Sequence, residues 1–221
     1  MKKLFIIGNW KSNKTVLETR EWVEKMTASN LQIGEGKEVV VCSSYPSLSL
    51  LKHLITKENL PIHIGAQDIS PFGPGAYTGE VNASQIKEFA TYTIIGHSER
   101  RKYFKEDDEL LGKKVQIALA AGLTPVFCVD SEKTLLPQGV ALVAYEPLFA
   151  IGSGQADTPE DAEKVAAAIK AKNPNIKAVI YGGSVTAENV QTFTAMPSVD
   201  GVLPGGVSLD AEKFTQLINN A

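Results

Sequence analysis

Short apolar segments alternate with amphipathic segments along the chain. The apolar segments are rich in β-branched residues and contain few polar positions, which is typical of strands buried on both faces of a sheet. Eight of them predict strands over residues 3–8, 38–42, 62–66, 92–95, 124–129, 140–145, 178–181 and 201–203. Because helical patterns separate these strands, the order indicates a parallel sheet.

The segments between the strands carry apolar residues at helical spacing. We predict helices over 15–28, 108–121, 160–172 and 211–220, and a solvated helix start in the charged run 105–109. Thr158 followed by Pro159 is typical of an N-cap and a first helical residue. The positions expected near the buried face are Val16, Trp22, Val23 and Met26 in the first helix, and Leu111, Val115, Ile117, Ala118 and Ala121 in the second.

Eight units in 221 residues leave about 28 residues for each, enough for a strand, a helix and two short loops. Eight repeats allow the sheet to close into a (β/α)8 barrel. The alternative is an open doubly wound sheet, whose dinucleotide-binding form is disfavoured because no GxGxxG follows the first strand. Pro137 and Gly139 interrupt the connection between predicted strands five and six, so we expect its helix to be shortened or absent.

We therefore predict one compact TIM-barrel domain over residues 1–221, with an exposed flank where that helix is missing. The formal net charge of -3 is too balanced for a protein that mainly binds nucleic acid, and no apolar run approaches the roughly 18 residues of a membrane helix. Cys42 and Cys128 cannot form a disulfide framework, which indicates the reducing cytoplasm. We find no zinc-ligand spacing, no Walker A lysine and no G-x-S-x-G.

In such barrels the active site lies at the carboxyl ends of the strands. Glycine loops at these ends expose backbone N–H groups that bind anions. Alone, Lys11 is more often solvated, His97 more often structural, and the glycines could be simple turns, whereas an acid such as Glu146 at the end of a buried strand needs a reason. Together the residues at these strand ends combine a carboxylate, an imidazole, an ammonium and an anion cradle. The residues that follow the predicted strands are Asn9 and Lys11, then His97 and Glu99, then Glu146 with Gly152, then Gly182, Gly183 and Ser184, and finally Gly205 and Gly206.

Seven short motifs surround these residues. They are Gly8-Asn9-Trp10-Lys11, Gly75-Ala76-Tyr77-Thr78-Gly79-Glu80, Ile95-Gly96-His97-Ser98-Glu99-Arg100-Arg101, Ala144-Tyr145-Glu146-Pro147, Ala150-Ile151-Gly152-Ser153-Gly154, Tyr181-Gly182-Gly183-Ser184-Val185 and Val199-Asp200-Gly201 with Gly205-Gly206. In this order they resemble the triosephosphate isomerase family, and the match runs from Lys3 to the last predicted helix.

The resemblance implies interconversion of dihydroxyacetone phosphate and D-glyceraldehyde 3-phosphate through an enediolate, in glycolysis and gluconeogenesis. It implies that Glu146 is the general base and His97 a neutral electrophile, while Lys11 stabilises the developing charge beside Asn9. Glu99 would hold Lys11 or orient the site. These roles also suit the chemistry, because moving a proton between adjacent carbons needs a base that both takes and returns it.

The resemblance also implies a phosphate site made by backbone N–H groups at Gly152, Ser184, Gly205 and Gly206. Residues 147–154 would form a lid, and no metal or organic cofactor would be required. The family's homodimers imply that the loop 67–80 reaches into a second subunit, where Thr78 would approach Asn9 and Lys11. No nucleic-acid or membrane partner is expected.

The chain departs from the family pattern at three places. Phe149 stands where the family usually has tryptophan, Cys128-Val129-Asp130-Ser131 replaces Cys-Ile-Gly-Glu, and Pro204 precedes the phosphate glycines. Two alternatives therefore remain open: a catalytically impaired barrel that only binds phosphate, and another sugar-phosphate isomerase, such as one of amino-acid biosynthesis. The set Asn9, Lys11, His97 and Glu146 disfavours the second.

Overall fold

The structure is a computed structural model that describes residues 2–147 and 157–221. Eight parallel strands pair in chain order and close into a barrel, which confirms the predicted fold. The strands are β1 (Leu4–Asn9), β2 (Lys37–Ser43), β3 (His63–Ala66), β4 (Tyr92–Ile95), β5 (Thr124–Val129), β6 (Leu142–Tyr145), β7 (Ala178–Tyr181) and β8 (Gly201–Val202).

Helices surround this barrel. They are α1 (Val16–Ala28), α2 (Tyr45–Lys57), α3 (Ala83–Lys87), α4 (Ser98–Phe104), α5 (Asp108–Ala120), α6 (Pro159–Lys172), α7 (Val190–Thr194) and α8 (Ala211–Asn220), with a 3₁₀ turn at Gly206–Leu209. No helix in the described part of the chain is long and apolar enough to cross a bilayer.

The strands separate two layers of apolar packing. Ile7, Val40, Ile94, Val126 and Ile180 belong to a cluster of their own that fills the barrel. The remaining strand side chains pack with the helices in a larger cluster around the barrel. This two-sided burial is the physical reason why the strands read as continuous apolar runs.

The predicted helix faces are mostly confirmed. Trp22, Val23 and Met26 of α1 are buried, but Val16 is 51% exposed, so its assignment to the buried face was wrong. In α5, Leu111, Val115 and Ala118 are fully buried, whereas Ile117 and Ala121 are only partly buried.

The predicted N-cap of α6 is borne out and α5 begins with a cap that was not predicted, while one residue beside that cap needs a correction. Thr158 accepts a hydrogen bond from the N–H of Asp161 and caps α6, and Asp107 caps α5 in the same way. Glu106, however, is buried rather than solvated, because its carboxylate contacts the Lys114 ammonium at 2.5 Å and the Arg100 guanidinium at 2.9 Å.

The connection between β5 and β6, residues 130–141, contains turns but no helix, as predicted. The prediction that the missing helix exposes a flank of the barrel is wrong. The outward-facing side chains of these strands, Phe127, Val129, Val143 and Tyr145, are all buried. The connection itself covers them: Val140 is buried, and Leu136 packs against the core.

Two side chains hold this connection between neighbouring helices. Gln116 of α5 donates to the carbonyl of Gln138 at 2.8 Å, and Lys172 of α6 donates to the carbonyl of Glu132 at 3.2 Å. Gly139 takes a left-handed φ of 88°, and a Cβ placed on it would lie 2.6 Å from Leu119 Cδ1. The tight connection thus depends on glycine at this position.

We expect Gly139→Ala to lower the free energy of unfolding by about 1–3 kcal/mol, since it adds both backbone strain and a clash with α5. Gly112→Ala in α5 is the matched control, because nothing lies within 4 Å of its added Cβ. Alanine there favours the helix, so the control should be neutral or more stable. Urea unfolding measures both, and equal midpoints for the two variants would contradict this account of the connection.

Candidate active site

The start of α4 brings the first candidate groups to the carboxyl edge of the barrel. β4 ends at Ile95, and Gly96 turns the chain with a φ of 77° into the helix. His97 is the N-cap of that helix, and its Nδ1 accepts the backbone N–H of Glu99 at 3.2 Å. An N–H group donates only to an unprotonated ring nitrogen, so this contact requires a neutral imidazole with its proton on Nε2.

Glu146 faces the other nitrogen of that ring. Glu146 follows β6 directly and is only 2% exposed, and its Oε1 lies 3.0 Å from His97 Nε2. The backbone N–H of Ser98 donates to its Oε2 at 2.9 Å. Both carboxylate oxygens are therefore held by groups at the start of α4, which compensates for burial of the charge.

Cys128 is a neighbour of this carboxylate that sequence reasoning missed. Its thiol lies inside the barrel, close enough to the Glu146 carboxylate to feel its charge. Burial, followed by the negative charge of Glu146, raises the pKa of the Cys128 thiol well above its usual value. The cysteine therefore stays a neutral thiol beside the carboxylate, which the apolar run around it in the sequence did not indicate.

Lys11 reaches the same rim from the end of β1. Its backbone is left-handed, with a φ of 53°, and its N–H donates to Asn9 Oδ1 at 3.0 Å. The Lys11 ammonium lies 2.6 Å from Glu99 Oε1. A continuous row of polar contacts thus joins Lys11, Glu99, His97 and Glu146.

Lys11, His97 and Glu146 line one wall of a cavity of about 290 Å³, whereas Glu99 lies behind Lys11 and does not line it. The opposite wall is formed by the loops after β7 and β8, including Ser184, Gly205 and Gly206 as expected. The full lining is Asn9, Lys11, His97, Glu146, Gly182, Gly183, Ser184, Val185, Thr186, Leu203, Gly205, Gly206 and Val207. Among the described residues no group of His, Cys, Asp or Glu side chains is arranged to hold a metal ion.

Part of the expected site lies outside the described residues. Gly152 and Phe149 belong to this part, as does nearly all of the expected lid, of which only Pro147 is described. The residue that follows the gap, Asp157, donates its backbone N–H to the Tyr181 hydroxyl at 2.8 Å. Tyr181 ends β7, so this bond joins Asp157 to the strand that precedes the Gly182-Gly183 loop.

The model of the "Triosephosphate isomerase" family matches residues 4–141 and 134–221. The chain belongs to the triosephosphate isomerase family. Curated triosephosphate isomerases are similar over essentially their whole lengths. That of Mesomycoplasma hyopneumoniae (strain 7448) is 40% identical over all of both chains, that of Picosynechococcus sp. is 36% identical over 99% of both, and that of Carboxydothermus hydrogenoformans is 35% identical over all of both.

The comparison with these triosephosphate isomerases also locates the shortening of the barrel. The alignment with the Mesomycoplasma protein spans 246 positions, so at least 25 of them have no counterpart among the 221 residues of this chain. The two segments that match the family model overlap at residues 134–141, within the helix-free connection between β5 and β6. The match to the family model is therefore interrupted at the connection in which the structure has no helix.

Proposed function

We propose that this chain interconverts dihydroxyacetone phosphate and D-glyceraldehyde 3-phosphate, in glycolysis and gluconeogenesis, and that residues 1–221 act as one domain. The observation that carries the proposal is the buried Glu146 carboxylate 3.0 Å from a neutral His97, in one cavity with two glycine loops. This arrangement combines proton transfer with binding of an anion. We infer a cytoplasmic location from the same metabolic role.

Glu146 is the base in this proposal. It takes a proton from the carbon beside the substrate carbonyl, and the resulting enediolate receives a proton on the adjacent carbon from the same carboxyl group. A carboxylate removed from water is a better proton acceptor, and its position at a strand end fixes the distance to both carbons. One substrate oxygen loses its hydroxyl proton and the other gains one, so no proton is lost overall, and the reaction consumes no co-reactant and requires no metal or organic cofactor.

His97 and Lys11 stabilise the negative charge that develops on the substrate oxygens. The His97 Nε2–H is a neutral donor that bonds the substrate oxygen in place of the Glu146 carboxylate, and the Lys11 ammonium supplies a full positive charge near Asn9. Glu99 holds the ammonium at 2.6 Å and thereby orients it. The backbone N–H groups of Ser184, Gly205 and Gly206 bind the phosphate, and Gly152 belongs to the same proposed set.

We expect Glu146→Asp to lower kcat by about 100-fold or more, because the carboxylate retracts by one methylene and misplacement by about 1 Å has that effect. A coupled assay with D-glyceraldehyde 3-phosphate measures the rate. The affinity for inorganic phosphate, measured by calorimetry, serves as the control and should remain close to that of the wild type.

A variant with kcat within about twofold of the wild type would exclude Glu146 as the base. A wild-type protein that binds phosphate without isomerising the substrate would instead support a phosphate-binding barrel. Turnover of a different sugar phosphate in place of the triose would support the other alternative.

We further propose a homodimer through the loop 67–80. In the single chain Phe72 and Tyr77 stack at 4.3 Å, yet both are more than 40% exposed. The N–H of Ser70 donates to the carbonyl of Val81 and closes the base of the loop. An ordered loop with exposed stacked aromatic rings fits burial in a partner better than exposure to water.

A second cavity of about 310 Å³ is the proposed receptor for the partner's loop. It shares Asn9, Lys11 and His97 with the catalytic cavity, and the exposed Phe104 ring lines it. A loop tip seated there would bring Thr78 of the second copy toward Asn9 and Lys11. Dimer formation would thus fix the positions of Asn9 and Lys11 at the end of β1.

Specific activity should therefore fall on dilution below the dimer dissociation constant, in step with the molar mass from light scattering. Tyr77→Asp should shift both curves to higher concentration. Leu135→Asp is the matched control, because Leu135 is 78% exposed in the β5–β6 connection, and it should leave both curves unchanged. A monomer that is fully active at every concentration would refute the role of the loop.

A further inference from the structure

The turn that carries Gly205 and Gly206 is held from behind by residues that do not line the cavity. Ser208 follows these glycines in the 3₁₀ turn and is completely buried. Its backbone N–H donates to the carbonyl of Gly205 at 3.0 Å, and its hydroxyl donates to the same carbonyl at 2.6 Å. Two donors from one residue therefore fix the direction of the Gly205 carbonyl.

The direction of that carbonyl determines where the next N–H points. In a trans peptide the C=O of one residue and the N–H of the following residue lie on opposite sides of one rigid plane. Because the Gly205 carbonyl points toward buried Ser208, the Gly206 N–H points away from it, on the side of the cavity that Gly206 lines. The position of Ser208 thus sets the direction of a backbone donor in the proposed phosphate site.

Two indole rings hold Ser208 in turn. Trp10 Nε1 and Trp22 Nε1 each donate to the Ser208 carbonyl at 3.0 Å. The two rings meet edge to face at 5.0 Å, and both are at most 2% exposed. A carbonyl accepts two hydrogen bonds when both of its lone pairs are used, so this carbonyl is fully engaged. Trp22 belongs to α1, which contributes no residue to the cavity lining.

We propose that Trp22 is a positioning residue for phosphate binding, acting through the Ser208 carbonyl and the Gly205 peptide. The inference rests on the proposed function for the identity of the bound anion. If the Trp22 ring served only to pack the core, removing its indole N–H would leave the affinity for the anion unchanged. The positioning role instead makes anion affinity sensitive to loss of either of the two N–H groups that hold the Ser208 carbonyl.

The test is Trp22→Phe, which keeps an aromatic ring against Trp10 and Phe214 but removes the donor. We expect the Kd for inorganic phosphate, measured by calorimetry, and the KM for D-glyceraldehyde 3-phosphate to rise about three- to tenfold, as expected for loss of one neutral hydrogen bond. The value of kcat should stay within about twofold, because the base and its donors are not touched.

Phe214→Leu is the matched control, since Phe214 packs 6.2 Å from Trp22 and makes no hydrogen bond to Ser208. It should lower the melting temperature and leave the phosphate Kd unchanged. An unchanged Kd in Trp22→Phe, or an equal rise in Phe214→Leu, would overturn the proposal. If Trp22→Phe does not fold, Ser208→Ala removes the hydroxyl bond to Gly205 and should raise the Kd likewise, whereas an unchanged Kd would overturn the proposal.

The wild-type protein separates this inference from the proposed function. A wild type that binds phosphate but lacks isomerase activity would remove the proposed function, and a raised Kd in Trp22→Phe would still support the positioning role. A wild type that is active, with an unchanged Kd and KM in Trp22→Phe, would remove only the positioning role.

Discussion

The hydrogen bond from the Glu99 N–H to His97 Nδ1 is the contact on which the rest of the candidate site depends. It forms because His97 caps α4, where the first N–H groups of the helix have no partner within the helix. The bond occupies the lone pair of Nδ1 and leaves Nε2 facing Glu146. The same helix turn supplies the Ser98 N–H to Glu146 and the Glu99 carboxylate to Lys11, so one helix start orients an acid, an imidazole and an ammonium.

The shortened barrel keeps this arrangement because its missing helix lies on the outer flank. The site is built from the carboxyl ends of β1, β4, β6, β7 and β8, and the connection after β5 has only to cover apolar side chains. Twelve residues do so by packing Leu136 and Val140 over the strands and bonding to α5 and α6. The residues at the carboxyl ends of the strands therefore keep their positions although an outer connection is short. This explains how a chain of 221 residues retains the family's motifs.

The sequence predicts most of the fold because local patterns are strong where strands are buried on both faces. The bounds of β4, β5, β7 and α8 were predicted to the residue. The start of β6 was placed two residues early, because apolar Val140 and Ala141 cover the flank instead of pairing in the ladder. Val16 was wrongly assigned to the buried face of α1, since helical spacing alone does not show how wide that face is.

The contacts that the sequence could not predict are side-chain contacts outside any periodic pattern, and two of them join residues far apart in the chain. Glu106 looked like one member of a solvated charge run, but Lys114 and Arg100 meet it only in the folded chain. The bond from Trp22 to Ser208 spans 186 residues, and the thiol of Cys128 finds Glu146 across two adjacent strands. Neither pair produces a recognisable pattern in the sequence. Glycines and charged residues directly after apolar runs do produce one.

Solvent deuterium tests most directly whether the Glu146 carboxyl group carries the proton from one substrate carbon to the next. The purified protein would be incubated with D-glyceraldehyde 3-phosphate in D₂O, and the product followed by ¹H NMR. We expect part of the dihydroxyacetone phosphate to carry deuterium at C1, because a proton held on a carboxyl group exchanges with solvent. We expect almost no product from Glu146→Gln. Product formed at an undiminished rate by Glu146→Gln, or product from the wild type that never contains solvent deuterium, would contradict this role of Glu146.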